Sequence, residues 1–141
     1  MKKNPVIGIT AEWNPFHSGH AAMIKEIRKS FPDARIISAM SGSFVQRGEP
    51  AIFDKWSRAS WSISSGVDAV FEYPALYVLQ SADSFSENAV HLLHDLGCTH
   101  IAFSTESLDK NQLFDIARWM QTEDYLSLIH ISEPTRLRCI S

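Results

Sequence analysis

Two histidines three residues apart, His17 and His20, enclose Ser18-Gly19. They follow an apolar run, Val6-Ile7-Gly8-Ile9, and precede an amphipathic segment. His17-Ser18-Gly19-His20 therefore falls where a buried strand passes into a helix. Backbone N–H groups from Gly19 onward would stand at that helix's N-terminus, where unpaired donors and the helix dipole favour a phosphate. Two imidazoles there suit adenylyl transfer: they donate hydrogen bonds to non-bridging oxygens and stabilise charge moving onto pyrophosphate. Gly19 leaves room for a nucleotide to approach the backbone. Each histidine alone reads first as a solvated surface residue; the order strand, His-x-Gly-His, helix is what favours nucleotide binding. Zinc is the weaker reading, because no third ligand stands nearby.

Other polar residues carry less. Arg47 and Lys55 flank Gly48-Glu49-Pro50, and a guanidinium and an ammonium suit β- and γ-phosphates; the competing reading is a solvated loop. Arg58, one helical turn beyond Lys55, reads equally as an exposed helix residue. Glu12 would orient a histidine or help hold magnesium arriving with a nucleotide, against the commoner solvated loop acid. His91 and His94 sit among Leu92, Leu93 and Leu96, which favours a packing helix with partly exposed histidines. Trp56 and Trp61 read as core or helix-face residues before base-stacking platforms. Lys25, Arg28 and Lys29 make one short basic cluster, read as a solvated face.

The elements that must position these residues alternate in type. Apolar runs predict strands over 5–11, 34–40, 67–73 and 98–104. Amphipathic segments predict helices over 19–30, then from an Asp54 cap to Gly66, then before Gly97, and last over 109–120. In the second of these, Trp56, Ala59, Ser60 and Ile63 share a side. Ser84 and Glu87 have capping-box spacing for the third. Alternation at intervals of roughly 30 residues is the rhythm of βαβ units and predicts an α/β, Rossmann-like doubly wound parallel sheet with the first strand, 5–11, central. Ligands of such sheets lie beyond the carboxyl ends of the strands, where each polar loop named above falls.

Composition narrows the class. The 141 residues are 45% hydrophobic and 21% charged, the proportions of one globular domain. The apolar runs are too short to span a bilayer, and no signal segment is read at Met1-Lys2-Lys3. Two cysteines, Cys98 and Cys139, make neither a disulfide scaffold nor a cysteine metal cluster, so a cytoplasmic location is expected. A net charge of −3 makes no global case for nucleic acid. Residues 126–141 have no clean periodicity, and Leu126-Ser127-Leu128-Ile129-His130-Ile131-Ser132-Glu133-Pro134-Thr135-Arg136 resembles a translated sequencing adaptor. The expected organisation is a C-terminally truncated ATP-binding domain over 1–125 and a non-native read-through tail over 126–141.

His-x-Gly-His is the turn of the HIGH-motif nucleotidyltransferase superfamily. More closely, the chain resembles the bacterial tRNA(Met) cytidine acetate ligase family. The likeness runs through Ala11-Glu12-Trp13-Asn14-Pro15-Phe16-His17-Ser18-Gly19-His20, Met40-Ser41-Gly42-Ser43-Phe44-Val45-Gln46-Arg47-Gly48-Glu49-Pro50-Ala51, Asp54-Lys55-Trp56-Ser57-Arg58-Ala59, Gly66-Val67-Asp68, Glu72-Tyr73-Pro74, Gln80-Ser81-Ala82 and Phe103-Ser104-Thr105-Glu106. It implies ATP-dependent activation of acetate to acetyl-adenylate, then acetyl transfer to N4 of the wobble cytidine of elongator tRNA(Met). The resemblance places ATP, with Mg2+, against Thr10, the loop Ala11 to His20, and Ala21, Ala22 and Met23, with His17 and His20 catalytic. A further ATP-contacting glycine of the family maps onto Ser104, where this chain sets a side chain against the nucleotide instead of bare backbone. Contacts to tRNA are expected mostly outside this stretch. The alternatives are a nucleotidyltransferase acting on a phosphorylated small molecule, and a chain that binds ATP without catalysis.

Overall fold

The computed structural model describes residues 4–104 and 110–122, and the chain divides into two compact units, Met1–Ser104 and Thr105–Ser141. In the first, strands β1 (Val6–Ala11), β2 (Arg35–Ser41), β3 (Ala69–Tyr73) and β4 (His100–Ile101) form one sheet in the order β3-β2-β1-β4. Every pairing is parallel, with Val6 opposite Arg35 and Ala11 opposite Met40 along the β1–β2 seam. Helices α1 (Ser18–Ser30), α2 (Lys55–Ser64), α3 (Ala75–Val78) and α4 (Ala82–Asp95) fill the connections. The second unit contains α5 (Lys110–Trp119). The expectation for 126–141 lies outside the described residues. No described helix is long and apolar enough to cross a membrane.

Strand alternation divides the sheet's apolar residues between two layers. Ile9, Ile36 and Met40 join Ile24 of α1, Val67 and Trp13 in one buried cluster, with Ala59 of α2 packed against it. Gly8 faces α4, where a Cβ would lie 2.9 Å from both Leu93 methyls and 3.0 Å from Cys98 Sγ. The side chain absent at Gly8 is what lets α4 lie close against the sheet. Helices thus cover both faces, as a doubly wound sheet requires.

Several expectations need correction. The fourth strand is shorter than 98–104, because it pairs only with Ile7 and Gly8 on one side; single hydrogen bonds, Thr99 N–H to Val6 O and Ala102 N–H to Gly8 O, extend it. Helix α4 starts at Ala82, capped by Ser81, whose hydroxyl accepts from Ser84 N–H; Ser84 lies in the first turn and does not begin the helix. The short helix α3 occupies what reads as loop. Helix α2 is capped by Asp54 as expected, but its buried residues are Arg58 and Ser62, while Trp56 is 75% exposed, with Ser60, Trp61 and Ile63 also exposed. Of the expected apolar side of α2, only Ala59 meets the core; Trp56, Ser60 and Ile63 face outward.

Arg28 is also no solvated cation. Its guanidinium donates to Gly66 O from Nε at 3.1 Å and from Nη2 at 2.6 Å, and to Ala34 O at 2.6 Å. It also pairs with Asp68 Oδ2 at 2.7 Å, and that oxygen accepts the Ile36 N–H. One side chain at the end of α1 thereby ties the entries of β2 and β3. Arg28→Met should lower unfolding free energy by about 2 kcal/mol in urea titration, the loss of several charge-assisted bonds. Partial burial pushes the Asp68 carboxyl up, but the Ile36 N–H and Arg28 outweigh it and leave it below the ordinary 3.8. Its contribution to stability is therefore full above 3.8 and lost as pH falls through the folded value. Asp68→Asn should flatten that part of the acid-unfolding curve.

Candidate nucleotide site

β1 ends at Ala11, and the chain turns sharply before α1 begins. Trp13 takes a φ of +44°, unusual for a residue with a side chain. It is held there by its ring, 1% exposed and packed edge-on against Phe16 with centroids 5.5 Å apart. Three hydrogen bonds fix the same turn from outside. Gln46 N–H donates to Glu12 Oε1 at 2.7 Å, Ile52 N–H to Asn14 Oδ1 at 2.7 Å, and Arg58 Nη1 to the Glu12 carbonyl at 2.5 Å. Glu12 thus anchors the loop after β2, and among the described residues no hydrogen bond links it to a histidine.

His17 is the N-cap of α1. Its Nδ1 accepts the Gly19 N–H at 3.1 Å, and His20 Nδ1 accepts the His17 N–H at 3.3 Å, a reciprocal capping box made of imidazoles. Their rings stack with centroids 3.7 Å apart. An Nδ1 that accepts a hydrogen bond carries no proton, so each neutral ring keeps its proton on Nε2 as a donor. Burial, and then the neighbouring His17, hold the His20 pKa below its ordinary 6.5. A Cβ on Gly19 would meet the His17 ring at 3.0 Å. The glycine is needed to seat that ring over the helix end, a different reason from ligand approach.

A cavity of about 480 Å³ opens at the carboxyl end of β1. Thr10, Ala11, Glu12, Trp13, Asn14, Pro15, His17, His20 and Met23 line it, with Ser104. Ile9, Ala102 and Phe103, none of them expected as site residues, line it too; Phe103 stands in the Phe103-Ser104-Thr105-Glu106 stretch, and for Ile9 and Ala102 an apolar strand end beside a polar loop is the signal in the sequence. Phe16, Ser18, Gly19, Ala21 and Ala22 do not line it. Phe16 packs into the core, and Gly19 and Ala22 border a more apolar groove that shares Met23, Ala102, Phe103 and Ser104 with the cavity. Arg47 and Lys55 are not brought to the cavity wall. Arg47 is exposed on a tight loop closed by Val45 N–H to Glu49 O, and Lys55 Nζ lies 2.6 Å from Glu72 Oε2. His91 and His94 are exposed beside Glu87 and Asp95, and no described group of acids, histidines or cysteines could hold a metal ion.

The family model of the HIGH Nucleotidyl Transferase matches residues 4–133. The chain belongs to the HIGH nucleotidyltransferase family. Within it, the chain is 50% identical over 101 residues to a tRNA(Met) cytidine acetate ligase of Ligilactobacillus salivarius, covering 72% of this chain and 27% of that protein. It is 47% identical over 119 residues to one of Lactococcus lactis subsp. cremoris, covering 84% and 30%. A crystal structure of Thermotoga maritima TmcAL bound with alpha-thio ATP is similar with a TM-score of 0.79 at 38% identity, over 89% of this chain and 31% of that one. The chain therefore spans under a third of the length of these relatives.

The histidine pair of this HIGH nucleotidyltransferase chain needs neutral rings, since a protonated Nδ1 cannot accept the capping N–H. A folded pKa below 6.5 for His20 means that its share of stability is full above 6.5 and lost as pH falls through the folded value. Imidazole NMR titration should place the His20 midpoint below 6.5, and His20→Ala should remove stability at pH 7.5 but flatten its fall toward pH 5.

Proposed function

We propose that this chain is the ATP-binding portion of a tRNA(Met) cytidine acetate ligase. The observation that carries this reading is the stacked His17–His20 pair, which caps α1 through Nδ1 and keeps Nε2 protons for a ligand in the cavity beside it. The named relatives and the nucleotide named for the Thermotoga maritima structure support it. ATP lies along residues 10–23 with its triphosphate toward the histidines and the α1 N-terminus, and with Ser104 on the cavity wall. An acetate carboxylate oxygen attacks the α-phosphorus, the bond to the bridging oxygen breaks, and pyrophosphate leaves with its charge held by the two Nε2–H donors. The N4 amine of the wobble cytidine of elongator tRNA(Met) then attacks the acetyl carbonyl, AMP departs and a proton is lost. Neutral donors bind ground-state ATP modestly and gain strength as charge builds, the pattern that raises turnover rather than affinity.

Among the described residues the cavity offers one carboxylate, Glu12, already holding Gln46 N–H; Mg2+ in this reading rides mainly on phosphate oxygens. Arg47 reaches the β- and γ-phosphates from its loop tip, and Lys55 reaches them by leaving Glu72. Residues 1–125 carry this ATP-binding role; tRNA engages largely parts of the protein beyond this chain, in the cytoplasm. Intact protein given ATP and acetate should form acetyl-adenylate, whereas the alternative nucleotidyltransferase would ignore acetate. His17→Ala and His20→Ala should each slow adenylate formation on the order of 10²-fold, with a smaller loss of ATP affinity. Parent rates in both variants would return the pair to a purely structural role.

A further inference from the structure

Arg58 has 0% of its surface exposed, yet none of its bonds is to a carboxylate. Its guanidinium donates to three backbone carbonyls: Glu12 O from Nη1 at 2.5 Å, Gly42 O from Nη2, and Phe53 O from Nε at 3.0 Å. Nη1 also lies 3.5 Å from Ser41 Oγ. Glu12 follows the last residue of β1 and Gly42 the last of β2. The β1–β2 register stops at Ala11 opposite Met40, so both carbonyls lie just past the strand ladder. A planar fork with five N–H groups can hold acceptors from three segments in one plane, which an ammonium cannot. Above the Glu12 carbonyl the chain enters the left-handed turn at Trp13 and then reaches His17. A conformation of that kind persists only where its surroundings overdetermine it.

We propose that Arg58 is a positioning residue: its guanidinium fixes the carbonyl ends of β1 and β2 and thereby sets the turn that aims His17 and His20 into the cavity. For its effect on rate the inference rests on the acetyl-adenylate reading above; for its effect on geometry it does not. Arg58 does not line the cavity. It acts through Glu12. Burial lowers its pKa, and Glu12, Asp54 and Glu72 oppose that shift, so three carboxylates, in the turn after β1, at the α2 cap and in β3, support the charge from a distance.

Two arms test this. In the 141-residue chain, nitrogen-15 NMR of the imidazoles should report Nε2–H tautomers with unprotonated Nδ1 for His17 and His20. Arg58→Lys, which keeps the charge and loses the fork, should mix the tautomers while amide dispersion shows a folded sheet. In the intact protein, Arg58→Lys should lower kcat for adenylate formation roughly 30- to 100-fold and change KM for ATP less than about threefold, the mark of misplacement. Unchanged tautomers in a folded Arg58→Lys chain overturn the proposal. If the parent forms no acetyl-adenylate, the functional reading fails and the tautomer arm still decides this one. Should the variant not fold, the parent decides: the Arg58 Nη protons must exchange with solvent far more slowly than those of exposed Arg47, and equal rates overturn the proposal.

Discussion

A parallel sheet runs out of backbone donors at its carboxyl edge, and that is where a doubly wound fold places its ligand. Carbonyls just past the last paired residues are half-buried acceptors, and leaving such groups unpartnered is costly. Here Arg58 meets that need at Glu12 and Gly42 together. From the next loop, Gln46 N–H and Ile52 N–H donate to side chains of the same turn, Glu12 Oε1 and Asn14 Oδ1. The loops over the cavity are therefore tied to one another by the same bonds that satisfy the sheet's end. A buried cation is tolerated because each of its three nitrogens finds an acceptor, and because carboxylates at Glu12, Asp54 and Glu72 favour its charge.

The helix end is solved in a related way. N-caps are usually Ser, Thr, Asp or Asn, whose oxygens accept and have little else to offer. Imidazole accepts through Nδ1 and, in the same tautomer, donates through Nε2. Using His17 and His20 as a reciprocal cap thus makes helix capping and donor orientation one constraint. Gly19 is part of it, since any Cβ there would press on the His17 ring. The price is sensitivity to acid, because a proton on Nδ1 removes the cap and adds charge to a stacked pair.

Much of this was legible in residue order. Val6-Ile7-Gly8-Ile9 reads as a strand because both its faces are covered, and His-x-Gly-His reads as a site because strand and helix bracket it. What was not legible depended on partners distant in sequence. Arg58 looks like a surface cation one turn after Lys55, and only the meeting of Glu12, Gly42 and Phe53 carbonyls draws it inward. That inward turn rotates α2 and carries Trp56 and Ile63 outward, against the pattern of their hydrophobicity. Arg28 is misread for the same reason, since Gly66 and Asp68 lie about 40 residues on. The N-cap at Ser81 is a local failure: serines at 81, 84 and 86 all satisfy the capping preference, and only the placement of α3 decides among them.

The charge pattern around the cavity follows from these same bonds. Arg58 directs its donors to backbone, Lys55 is paired with Glu72, and Arg47 stands away on its loop tip, so among the described residues the wall carries no arginine or lysine. Positive potential reaches the cavity indirectly, from the α1 N-terminus, which has no acidic residue in its first turn, and from Arg58 behind the Glu12 carbonyl. A wall of neutral donors backed by fixed, buried charge cannot reorganise much when a ligand's charge shifts. That is the condition under which hydrogen bonds strengthen most in a transition state. The reach proposed for Arg47 and Lys55 would add hold on a ground-state triphosphate, whereas the histidine donors would add to the rate.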